Sequence, residues 1–100
     1  RSDLDSLIFW PICNQKYLYN FIKSLYPLYP PAYCIFKKKK LNFTNVEMPL
    51  NKSKTSIGKI VRTYDNDWYL IGTLDYCLKV QIKFETGVSK INLLGCRIII

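Results

Sequence analysis

Histidine is absent from this 100-residue chain, and methionine occurs once. Without imidazole the chain lacks the one side chain that ordinarily titrates near neutral pH, which is the usual general base and the commonest metal ligand. Glycine occurs at only four scattered positions, so there is no glycine-rich phosphate loop. Cys13, Cys34, Cys77 and Cys96 contain no C-x-x-C pair, and no histidine is present to complete a zinc ligand set. They read as reduced, small core residues rather than disulfides. Ser53, Thr55 and Ser56 have no histidine to activate them. Asp65, Asp67 and Asp75 could hold a divalent cation, but turn chemistry accounts for them more simply. No apolar run reaches the length of a bilayer span, and no signal-peptide pattern opens the chain. The expectation is a protein without catalytic activity, metal, cofactor, membrane partner or small-molecule substrate.

What is present is one core's worth of apolar residues, 49%, with 15% aromatic. The heavy use of Asn, Lys, Ile, Tyr and Phe is the bias that AT-rich genomes encode, many organellar ones among them. The net charge of +8 is concentrated between residues 37 and 62. There Lys37, Lys38, Lys39, Lys40, Lys52, Lys54, Lys59 and Arg62 face Glu47 alone, the electrostatic footprint of a polyanion partner. A solvated loop and a polyanion-binding segment both fit the Lys37–Lys40 run.

The patterning predicts a single α+β domain over 1–100, an N-terminal helix followed by a small antiparallel β-sheet. Asn14 is the expected N-cap of a helix over 14–25, where Tyr17, Leu18, Phe21, Ile22 and Leu25 share one face. "YPLYPPAY" opens an extended connector over 26–36. A basic segment covers 37–62, and the β-rich part covers 57–100. In "CLKVQIKF", Leu78, Val80, Ile82 and Phe84 alternate with Lys79, Gln81 and Lys83, giving one buried and one cationic or polar face. Left in solvent, the tail "INLLGCRIII" would expose six large aliphatic side chains. It must dock on its own sheet or on a neighbouring protein, and the limited core of so small a chain favours the neighbour.

The stretch "NKSKTSIGKIVR" (51–62) sets bases among hydroxyls, a residue set suited to phosphate and ribose contacts. The expected RNA-binding residues are Lys37, Lys38, Lys39, Lys40, Lys52, Ser53, Lys54, Thr55, Ser56, Lys59 and Arg62, with Lys79 and Lys83 from the cationic strand face.

The order of residues resembles the small-subunit ribosomal protein nineteen (S-nineteen) family. "KSKTSI" (52–57) is similar to that family's basic Ser-Arg-Arg-Ser-Thr-Ile-type segment. Gly58, Lys59, Tyr64 and Tyr69 match the spacing of its Gly-Lys…Tyr…Phe strand. Arg1-Ser2 and Pro11-Ile12-Cys13-Asn14 are similar to its start, and "KFET" (83–86) to a downstream piece. The resemblance implies a structural constituent of the mitochondrial ribosome, bound to ribosomal RNA in the small-subunit head beside protein thirteen of that subunit. Two other readings of the residues are an accessory subunit of an organellar membrane complex and a small β-barrel RNA-binding domain.

Overall fold

The computed structural model describes residues 6–87 and 89–99, so Arg1, Ser2 and Ile100 lie outside the described residues. Helix α1 spans Gln15–Leu25, and the Asn14 side-chain oxygen accepts from the Tyr17 amide at 2.7 Å. That bond satisfies one of the amides a helix start leaves without a partner. Leu18, Ile22 and Leu25 recur on one face, and all three are buried. Tyr26 leaves the helix in an extended conformation, as a residue before proline prefers.

The connector expected over 26–36 ends in a strand, β1 (Ala32–Phe36), which turns back into β2 (Lys39–Glu47). Phe36 pairs with Lys39, so the lysine run is a hairpin rather than a loop. Lys37 and Lys38 form its turn at φ 50° and 64°, the left-handed backbone of a type I′ turn. The sheet therefore begins well before residue 57. Strict alternation fails in β2 because a bulge between Phe43 and Asn45 shifts the register, so Leu41, Phe43 and Val46 are the buried residues.

Strands β3 (Ile60–Thr63), β4 (Trp68–Ile71) and β5 (Leu78–Phe84) complete an antiparallel sheet of order β1-β2-β5-β4-β3. With α1 this is a small α+β fold. The turn between β3 and β4 runs through Asp65–Asp67, with Asn66 and Asp67 at φ 62° and 64°. In β5, Leu78, Val80 and Ile82 are buried, and the intervening Lys79, Gln81 and Lys83 point to the other side. Helix α1 packs on β1 and β2, and its buried face joins Leu41, Phe43, Val80 and Ile82 in one core. Trp10 meets Phe43 edge-on at 6.2 Å. Each such side chain contributes about 1.5–3 kcal/mol on burial.

Both edges of the sheet are covered. Leu7 bridges to Tyr33 beside β1, and the Ile8 amide donates to the Tyr33 carbonyl at 2.9 Å. Along β3, the Ile60 amide donates to Cys96 and the Gly95 amide to Ile60, each at 2.8 Å, and the Ile98 amide donates to Gly58 at 2.9 Å. Leu93 and Ile98 are fully buried. The apolar tail thus docks on its own fold and not on a neighbour, because an edge strand offers unpaired backbone groups and the core beside it is open to aliphatic side chains. Gly58 sits at φ 78°, where a Cβ would overlap Ile99. The close approach it permits is that of the tail.

Candidate binding face

The side of the sheet turned away from α1 collects the residues that alternate out of the core. Across β2, β5, β4 and β3 the register aligns Glu47, Lys79, Leu70 and Arg62 in one row. The neighbouring row sets Gln81 opposite Trp68, and beyond it Tyr33, Asn42 and Lys83 align. The Lys79 ammonium lies 4.7 Å from the Tyr64 ring centre, 5.5 Å from that of Trp68 and 3.5 Å from the Glu47 carboxylate. Gln81 is fixed by donating to the Asn66 carbonyl at 3.0 Å. Arg62 is exposed and has no ion pair among the described residues. Two aromatic faces, an ammonium and a guanidinium thus share one open surface, which can donate to phosphate oxygens and cover flat groups.

The fold distributes the expected binding residues over several places. Lys37, Lys38, Lys39 and Lys40 sit at the β1–β2 hairpin, where Lys40 lies 4.4 Å from the Tyr33 ring centre and 3.9 Å from Glu85. Arg62, Lys79 and Lys83 come to the open face. Lys83 pairs with Asp67 at 3.1 Å, and Lys90 takes the other oxygen of the same carboxylate at 2.5 Å. The Lys90 hydrogen bond, reinforced by Lys83, holds the Asp67 carboxyl below its ordinary pKa and raises that of Lys90. Lys59 stands beside the tail, bridged to Arg97.

Lys52 and Lys54 reach instead over Tyr76, 5.0 and 5.2 Å from its ring centre. Their loop is held by the Cys77 amide donating to the Ser53 carbonyl at 2.8 Å. Thr55 and Ser56 press against Gly72, where a Cβ would collide with the Ser56 carbonyl. Sequence reasoning missed Tyr64, Trp68 and Tyr76. The period of two in "WYLI" was the available signal for Trp68, since Tyr69 and Ile71 alternate into the core.

A second feature is an apolar cleft of about 470 Å³ lined by Leu7, Phe9, Trp10, Ile57, Leu74 and Ile99, with Cys34 at its wall. Burial pushes the Cys34 thiol up to about 12 and that of Cys13 to about 11, so both stay protonated at neutral pH and neither is a thiolate nucleophile. Among the described residues no three His, Cys, Asp or Glu gather to hold a metal, and no helix is long and apolar enough to cross a membrane.

A family model described as formyl transferase, C-terminal domain, matches residues 2–91. A search of curated proteins finds no match. The family match overturns the resemblance to S-nineteen and the expectations built on it: a ribosomal constituent, ribosomal RNA and protein thirteen as partners, and no enzyme. The membrane-complex subunit and the small RNA-binding barrel fall with them. A family of formyl transfer concerns a reaction with a formyl donor, so the expected lack of a small-molecule substrate is corrected too. The resemblance misled because it rested on a basic loop, a glycine and a strand. Here the backbone of "KSKTSI" is pinned to residues 72–77, and Gly58 makes room for Ile99, so the spacing of these residues has an internal cause.

Proposed function

Because the chain belongs to the formyl transferase C-terminal domain family, we propose that it serves a formyltransferase-type enzyme by holding a phosphate-bearing substrate on the open face of its sheet. The observation that carries this reading is the row from Lys79 to Arg62, flanked by Tyr64 and Trp68. Core packing does not require two cations and two aromatic rings on a solvent-facing surface, and such a surface suits an anionic, ring-bearing molecule. Glu47 neutralises only part of this charge. Lys79 can leave its carboxylate for a phosphate at little cost, since an exposed ion pair is worth about 0–1 kcal/mol. An organellar location, mitochondrial first, with which the composition agrees, belongs to the same proposal and is checked by fractionating cells that express the tagged protein.

The test is titration with inorganic polyphosphate, followed by the fluorescence change that Trp68→Phe abolishes. Replacing both Arg62 and Lys79 by Ala removes two charge-assisted contacts and is expected to weaken binding by roughly tenfold or more, with a shallower salt dependence. Lys16→Ala, on the exposed side of α1, is expected to change nothing. Equal affinity for the double variant and the parent would refute the reading.

A further inference from the structure

The pair of lysines over Tyr76 lies at the end of the sheet, where β2 and β4 have finished and β5 begins, and not on its open face. Both ammonium groups are within 5.2 Å of one ring centre, so they are at most about 10 Å apart. No carboxylate pairs with either among the described residues. Two like charges drawn to one surface ring without a counter-charge form a place of unbalanced positive potential.

The arrangement is held by backbone bonds. Ser53, between the two lysines, accepts from Cys77, the residue after Tyr76, at 2.8 Å. The Tyr76 amide donates to Asp75 Oδ1 at 2.8 Å, and the Thr73 hydroxyl donates to the Tyr76 carbonyl at 2.6 Å. Tyr76 is therefore fixed on both sides of its Cα, and the lysine-bearing loop is tied to the same point. The nearest acid in sequence is engaged elsewhere: Asp75 Oδ1 also accepts from the Gln15 amide at 2.7 Å and the Thr73 hydroxyl at 3.0 Å.

We propose that Lys52, Lys54 and Tyr76 form a phosphate-binding site. The two ammonium groups and the phenol hydroxyl are three donors gathered about one ring, a set suited to a tetrahedral oxyanion that carries up to two charges and several acceptor oxygens. A carboxylate would neutralise only one of the two cations. This site adds a second grip, and it rests on the proposed function only for the identity of the molecule that carries the phosphate. Ser53, Thr55 and Ser56 shape the loop, and Lys52 and Lys54 supply its charge.

The test follows the Tyr76 ring and the Lys52 and Lys54 Nζ signals by NMR while inorganic phosphate replaces chloride at constant ionic strength. A saturable shift is expected. Replacing both lysines by Gln is expected to lower phosphate affinity by about tenfold or more, since hydrogen bonds to charged groups are the strong ones. Arg62→Ala combined with Lys79→Ala is expected to leave this response intact, so the site can stand even if the open-face reading fails. A parallel titration with polyphosphate separates the sources. Tighter binding that the Lys52/Lys54 variant weakens marks a phosphate within a larger substrate, and a response to inorganic phosphate alone marks the free ion. A non-saturating shift, or one the Gln variant keeps, would overturn the proposal.

Discussion

Asp75 ties the start of α1 to the loop before β5. Its Oδ1 receives the Gln15 amide, the Tyr76 amide and the Thr73 hydroxyl, and the Gln15 bond is the chief reason its carboxyl lies below the ordinary aspartate pKa. The depressed folded value sets the sign. The contribution is fully present above the unfolded pKa of about 3.9 and disappears as pH falls through the folded value. Asp75→Ala is expected to cost about 1 kcal/mol at pH 7, the typical cost of a lost helix cap. Urea unfolding of variant and parent at pH 7 and again near pH 2 reads it, and the gap between them should narrow in acid. A gap of the same size at both pH values would show that charge has no part in it. The role of Asn14 was legible because a cap and its helix are adjacent. The role of Asp75 was not, because the amide it serves lies 60 residues away in sequence.

The elements follow the same division. Helix α1 and strand β5 announce themselves through unbroken periods, Leu18–Ile22–Leu25 in one and Leu78–Val80–Ile82 in the other. Strands β1 and β2 did not, since prolines precede the first and the second opens in a lysine run and is bulged. Their turn lacks the Asn-Gly chemistry that marks a type I′ hairpin, which is why Lys37–Lys40 looked like a loop. Left-handed backbone strains non-glycine residues such as Lys37 and Lys38. Replacing them by Asn and Gly is expected to stabilise the fold by about 1 kcal/mol in total, read as a higher urea midpoint with an unchanged slope. The same pair removes two candidate cations at the hairpin, so polyphosphate affinity measured alongside tells whether that end of the sheet takes part in binding. A midpoint that falls would mean the turn tolerates its lysines better than the φ values imply.

At the scale of the whole molecule, sheet closure depends on segments from both ends of the chain. The candidate site was legible only as charge: the basic residues stood out, but which of them share a surface depends on the strand order, and Tyr64, Trp68 and Tyr76 join them only in three dimensions. The tail shows the same limit, because its apolar character required a partner surface without saying whose. The family match ends at residue 91, yet the tail beyond it supplies buried Leu93 and Ile98 and three backbone bonds along residues 58–60. Burial of those two side chains alone is worth about 3–6 kcal/mol, a large share of the 5–15 kcal/mol by which domains are generally stable. Deleting 91–100 is therefore expected to unfold much of the population at 25 °C, and any folded remainder would expose the β3 edge and associate through it. Ile98→Ala is the milder probe, expected to cost about 2–5 kcal/mol while leaving the edge covered and the association state that of the parent. Circular dichroism melts and sedimentation velocity on both variants separate the two effects. A truncated chain that melts and sediments like the parent would show that the tail is an appendage and not part of the fold.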